Sequence, residues 1–235
     1  MVTIDIINGD RGDLSKWENI LFWMDLVAQG LVVLVVGGPP CETWSAAKDP
    51  PVRSATQLWG LDRLSPYSRR QVDVGNTFLR GQHLIMWSCN FHDVPALKEH
   101  PAHPVWKGPD APSSWLLPEE QVLYSQPGNT TVTFNTCLLG APYTKPTTFG
   151  AVKFPEIVLL LQQLPNHGVC IKLPDGCNVC GKTHVALKGR AADGHFLTAE
   201  AKQYTKDLCN LIARAAILAW ARMSNHVVSD MDKAI

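Results

Sequence analysis

Cys41 lies in the run Gly37-Gly38-Pro39-Pro40-Cys41-Glu42-Thr43-Trp44-Ser45, directly after the apolar stretch Leu31 to Val36. A cysteine thiolate is a strong nucleophile, but it needs solvent access and either a lowered pKa or a proton acceptor close by. A turn at the end of a buried strand provides the access. Glu99-His100-Pro101 closes a second, shorter β-type segment, so a carboxyl and an imidazole also stand at a strand end. A third group, Cys177-x2-Cys180-x3-His184, has the spacing of a metal knuckle, with Cys170 seven residues upstream. Tetrahedral zinc takes four nitrogen or sulfur ligands. Three are regularly spaced here; the fourth lies among Cys170, His167, His195 and Cys209, and Cys170 completes the expected set with Cys177, Cys180 and His184. Such an ion would be structural. Two reduced cysteines in a turn are the plain alternative.

The elements that must position these groups read as α/β. Residues 2–7 are β-branched and end at Asn8-Gly9, which predicts a strand and a turn. Ser15 and Glu18 have capping-box spacing, and Trp17, Ile20, Leu21, Met24, Val27 and Ala28 follow at helical intervals up to Gly30. Leu31 to Val36 predicts a parallel strand buried on both faces, completing a right-handed βαβ unit. Ligands of open α/β sheets bind beyond the carboxyl ends of the strands, which is where Cys41 stands. Residues 48–80 predict a loop leading into a helix; Lys48, Arg53, Arg63, Arg69, Arg70 and Arg80 outnumber the local acids and form a candidate phosphate-facing surface. Further strands are predicted at 96–98, 131–138 and 147–152, a short helix at 155–164, and a long final helix capped at Thr198 with Tyr204, Leu208, Leu211, Ile212, Ala215 and Leu218 on one face.

With 235 residues, 46% of them hydrophobic, the chain can bury a full core, which excludes disorder as the dominant state. Basic and acidic residues balance at 21 each, so contact with nucleic acid must come from local patches. No apolar run approaches the ~20 residues of a membrane-spanning helix. The acidic start does not read as a secretory signal, and seven cysteines are an odd count for a disulfide scaffold, so the expectation is an intracellular protein, nuclear or cytoplasmic, with reduced thiols.

Gly37 to Ser45 resembles the catalytic loop of the DNA cytosine-5 methyltransferases, in which Pro-Cys is usually followed by Gln-x-Phe-Ser, and most of all that of divergent members found in mobile elements. Three weaker matches follow in family order. Asn8-Gly9-Asp10 resembles the segment that contacts the adenine of S-adenosylmethionine, Glu99-His100-Pro101 falls where the family has Glu-Asn-Val, and Leu139 to Lys145 resembles Gly-Val-Pro-Gln-x-Arg. The resemblance covers roughly residues 2–152. It implies a Rossmann-like methyltransferase sheet lacking its first strand-helix unit, with a small Cys/His-containing insertion. Residues 1–152 would be the core, 153–197 a reduced target-recognition or zinc-knuckle segment, in which Lys182, Lys188 and Arg190 would face nucleic acid, and 198–222 a helix packing on the core.

The same resemblance implies S-adenosylmethionine-dependent methylation of cytosine in DNA, or alternatively RNA. Cys41 would be the nucleophile that adds to C6, and Glu99 the carboxyl at N3 of a flipped base. Asp10 and Pro39 would contact the cofactor; Ser45, Tyr143 and Lys145 would support the base. Tyr143, Lys145 and Thr147 replace the family's Gln and two Arg, and lysine lacks arginine's planar fork. The family's Phe-x-Gly-x-Gly loop has no counterpart here, so the cofactor half-site would be missing or come from a second chain. The alternative function is an inactive remnant that binds nucleic acid. A Cys41–His100 hydrolase would leave the flanking motifs unexplained.

Overall fold

The computed structural model describes residues 10–45, 47–170, 172–173, 176–177, 179–185, 187, 198, 201 and 203–233. The strand expected at 2–7, together with His195, Lys188 and Arg190, lies outside the described residues. The chain divides into two compact units, residues 1–131 with 148–153 and residues 132–147 with 154–235. Among the described residues, no helix is long and apolar enough to cross a membrane.

In the first unit, α1 (Trp17–Ala28) packs against α2 (Pro66–Phe91). The expected capping box at Ser15 does not form. Ser15 instead donates its N–H and Oγ to the Asp13 carboxylate, at 3.0 and 2.6 Å, while the Asn19 side chain ties the Asp13 carbonyl to the first turn of the helix. Gly30, at φ +70°, ends the segment in the left-handed conformation that glycine adopts without steric cost. Helix α2 is longer than its periodicity suggests. Ser65 caps it by accepting the Ser68 N–H, and Pro66 occupies the first turn, where a missing N–H costs nothing. Ile20 and Val27 of α1 meet Ile85, Met86 and Cys89 of α2 in a core that also takes in Ala96, Leu123 and Val152. Burial pushes the Cys89 thiol up to about 12, which makes it an inert packing residue.

Among the described residues the fold is mixed α/β, with five α-helices and a four-stranded, mostly antiparallel sheet in the order β1 (Val35–Gly37), β2 (Ala96–Pro101), β4 (Pro146–Val152), β3 (Asn129–Asn135). The parallel strand expected at the end of Leu31 to Val36 is present as β1, but the strand order and the mostly antiparallel pairing are not those expected of a Rossmann-like methyltransferase sheet. Only β1 and β2 are paired in parallel, with α2 as their crossover; residues 136–145 between β3 and β4 are too few for a crossover, which takes a dozen or more, so the chain reverses there. The apolar run before Cys41 is also less buried than expected. Val32 and Val35 pack on the α1–α2 core, whereas Leu31, Val33 and Val36 are exposed, so the run is covered on one side and strand geometry is confined to its last residues.

In the second unit α4 (Pro155–Gln162) packs against α5 (Lys206–Lys233), and the Arg222 guanidinium contacts the Glu156 carboxylate at 2.6 Å. The expected cap at Thr198 is not the one used. Thr205 fills that position, accepting the Leu208 N–H at 3.2 Å and donating its hydroxyl to the Leu139 carbonyl. A two-stranded antiparallel ribbon, β5 (Lys172–Leu173) with β6 (Gly176–Cys177), leads into the Cys/His segment. Helix α3 (Pro118–Tyr124) belongs to the first unit.

Candidate functional site

Because β1 and β2 are parallel neighbours, with Gly37 opposite Lys98, the Cys41 loop and Glu99-His100-Pro101 leave the same end of the sheet. The loop is held there by three devices. A Cβ on Gly37 would overlap the buried Gln82 amide at 2.2 Å, and one on Gly75 of α2 would come within 3.1 Å of Thr43 Oγ1; both close approaches depend on glycine. Arg53, only 1% exposed, is the second device. Its Nε and Nη2 donate to Thr43 Oγ1 at 3.2 and 2.8 Å, its Nη1 to the Leu58 carbonyl and to Asn76 Oδ1 at 2.7 and 2.8 Å, and its plane lies 3.8 Å over the Trp44 ring. Burial lowers this guanidinium to about 10, against a weaker opposing pull from Asp73, so it remains charged at neutral pH. The third device is Trp44 itself, which meets the edges of Trp59 and His100 at 6.2 Å each. His100 is fixed in turn by Ser114 Oγ at 2.7 Å.

Cys41 is half-buried in this clamped turn, and its carbonyl accepts the Trp44 N–H at 2.9 Å. Glu99 is 7% exposed on β2. Pro39 is buried beside the strand end; Ser45 uses its hydroxyl to accept the Ala47 N–H, which closes the turn. Asp10 stands in the 3-10 turn before α1. Tyr143 and Lys145 belong to the second unit: Tyr143 is buried with Ala141 and Ala201, and Lys145 Nζ donates to the Ala201 carbonyl at 3.1 Å. The basic stretch is not a uniform phosphate-facing surface. Arg53 is interior, Arg69 bonds the Leu61 carbonyl, Lys48 bonds Gln71 and Arg80 stacks on Trp59, while Arg63 and Arg70 are exposed. Sequence reasoning treated Arg53 as a surface charge. Nothing in its spacing marks it as the residue that anchors the loop.

Arg53→Leu should cost about 3 kcal/mol, because it strands Thr43 and Asn76 in the interior along with the hydrogen bonds a charged donor makes. Urea unfolding of the two proteins measures this directly, and a difference below about 0.5 kcal/mol would reduce Arg53 to a passive filler.

The second unit gathers a metal-type donor set. The ligand atoms of Cys137, Cys170, Cys180 and His184 all lie within 4.8 Å of one another. Cys180 Sγ is 3.1 Å from His184 Nε2, and the other ring nitrogen of His184 is engaged by Thr144 Oγ1, the kind of outer partner that orients a ligating imidazole. The cluster shares Cys170, Cys180 and His184 with the sequence-derived set, and Cys137 joins them from the 3-10 turn Thr136–Leu139 that follows β3; Cys170 and Cys177 are bonded to each other. The sequence placed Cys137 inside a strand, more than thirty residues before the knuckle, and so gave no spacing signal. Desolvation raises the Cys137 thiol, while a hydrogen bond from Thr144 pulls the other way. His167 and Cys209 are exposed and stand outside the cluster. With Cys170 reduced, three sulfurs and one imidazole are a donor set that can hold a metal ion, and they match zinc's preference for soft ligands in four-coordination.

Compared with protein-family models, with curated proteins and with solved structures, the chain matches none.

Proposed function

We propose that the first unit is a cytosine-C5 methyltransferase-like core acting on DNA, with Cys41 as nucleophile and Glu99 at N3 of the target base, and that the Cys/His cluster of the second unit is a structural zinc site. The observation that carries the first reading is the parallel pairing of β1 and β2, which brings the Pro-Pro-Cys loop and the strand-end glutamate out side by side. The Trp44–His100 contact ties loop and strand together at the same place.

The chemistry follows from the base. Cytosine C5 is a poor nucleophile until something adds at C6. When the Cys41 thiolate forms a bond to C6, the C5–C6 π electrons shift toward C4 and the C4–N3 pair moves onto N3, where contact with Glu99 favours protonation. The product is an enamine with a nucleophilic C5. Reaching C6 requires the base to leave the helix stack, and unstacking costs a few kcal/mol. S-adenosylmethionine, when bound, supplies the methyl group. Asp10 and Pro39 match only the adenine side of such a cofactor and no described segment matches the glycine-rich loop for its methionine side, so the role assigned to this chain's own residues ends at the activated base.

Adduct formation needs no methyl donor. In D2O an enamine carbon at C5 picks up deuterium, and reversal of the addition leaves the label in the base. Incubating the protein with cytosine-containing DNA and following C5 deuteration by mass spectrometry should show saturable exchange. DNA binding without exchange would reject the nucleophile and favour a nucleic-acid-binding module. For the metal, elemental analysis of reduced protein should give about one zinc per chain, and a chelator should destabilise the second unit.

A further inference from the structure

The Cys/His cluster holds five candidate donors where a tetrahedral ion has four positions. Cys137, Cys170, Cys180 and His184 are mutually within reach, and Cys177 shares their buried cluster with Cys137 and Cys170. Cys177 is prepared as a ligand in its own right: the N–H groups of Val179 and Cys180 point at its sulfur, at 3.3 and 3.2 Å. Two amides aimed at one sulfur stabilise negative charge there, as a metal-bound thiolate requires. Yet Cys177 is bonded to Cys170. A sulfur in a disulfide carries no charge to give to an ion, so that bond and a filled four-ligand site exclude each other.

We infer that Cys170 and Cys177 form an oxidation site that controls metal occupancy of the cluster. Reduced, one of the two sulfurs completes the site with Cys137, Cys180 and His184; oxidised, they bond to each other and the ion leaves. This rests on the zinc reading above. The oxidant is a small peroxide. Cys170 and Cys177 are 9% and 4% exposed, which shuts out a protein partner, while Cys180 and His184 are half-buried and Gly181 to Thr183 between them are exposed.

The electrons balance in two steps. One thiolate of the pair attacks a peroxide oxygen: an S–O bond forms, the O–O bond breaks and hydroxide leaves. The second thiolate then attacks the sulfenic sulfur, the S–S bond forms and the S–O bond breaks, releasing a second hydroxide; the two protons given up when the thiols ionised convert both hydroxides to water. The two sulfurs lose two electrons to the peroxide oxygens; two thiols and one hydrogen peroxide become a disulfide and two waters. Loss of that thiolate leaves the ion with three protein ligands, and Zn2+ passes to solvent.

The test uses the full chain, purified with reductant and then freed of it. Zinc is measured by elemental analysis, hydrogen peroxide is added, release is followed with a chromogenic chelator, and the cysteines are mapped by alkylation and mass spectrometry. About one zinc should leave with the appearance of a Cys170–Cys177 linked peptide, and in Cys170→Ser, where Cys177 keeps the position, release should be about tenfold slower. Absence of zinc from the reduced wild type would overturn the zinc reading itself. With zinc present, equal release from wild type and Cys170→Ser, or a linked peptide from another pair, would overturn the exchange alone. Cys177→Ser covers the remaining case: if both variants lose zinc without oxidant, both sulfurs are needed at once and the exchange is rejected.

Discussion

Cys41→Ala abolishes C5 hydrogen exchange on DNA, a loss on the order of 10^4-fold, because removing a nucleophile removes the whole covalent route and not a fraction of it. Its stability stays within about 0.5 kcal/mol of wild type. The two outcomes come from different parts of the loop. The clamp is built from Thr43 and Trp44, which Arg53 holds by hydrogen bonds and by stacking, and from the close approach at Gly75; the Cys41 backbone joins through its carbonyl. Alanine keeps that backbone and removes only the sulfur. Deuteration of cytosine and urea unfolding, measured on the same preparations, separate chemistry from folding. Undiminished exchange in Cys41→Ala would remove Cys41 from the mechanism, whereas lost exchange with lost stability would make it a packing residue.

Much of the scaffold around Cys41 was legible because it is local. Strand β2 and its terminal Glu99-His100-Pro101 and the glycine stop after α1 each depend on neighbours within a few residues. What was not legible depends on partners far along the chain. The reversal of β4 against β3 is a matter of connection length, and a continuous apolar run does not reveal which side of it will be covered, so Leu31 to Val36 read as a fully buried strand. Arg53 read as a surface charge because interior cations are rare, and the strand at 96–98 gave no sign that Lys98 would be buried. Their compensating groups are nine or more residues away: Thr43, Asn76 and Trp44 for Arg53, Glu120 and Trp115 for Lys98. Cys137 illustrates the same limit for the metal centre. Three of the five donors are set by the Cys-x2-Cys-x3-His pattern, but the donor from the β3–β4 connection arrives through the hairpin, and only the fold brings it in.

Glu120→Ala should be the most destabilising single change in the first unit, at about 3 to 5 kcal/mol, because it leaves a buried ammonium without its counter-ion. Lys98 lies on β2 next to Glu99, completely buried, with Nζ 2.5 Å from Glu120 Oε2 and 4.1 Å from the centre of the Trp115 ring. The other carboxylate oxygen faces His83 Nδ1 at 3.3 Å, and His83 Nε2 accepts the Trp87 indole N–H at 2.8 Å, which places the ring proton on Nδ1, toward the carboxylate. Burial alone would raise the Glu120 carboxyl; Lys98 and His83 overcome it and hold the group below its ordinary 4.5. A carboxyl whose pKa is depressed by folding adds stability that is fully present above 4.5 and is lost as pH falls through the folded value. Wild type should therefore lose stability on acidification below 4.5, and Glu120→Ala, already without that contribution, should show a shallower acid limb. The Lys98→Met/Glu120→Leu double variant, which removes both charges and keeps the volume, should recover most of the loss. Urea midpoints across the acid range for the three proteins decide the matter. A double variant as unstable as Glu120→Ala would mean that packing around Trp115 and Tyr124, and not the unpaired charge, sets the cost.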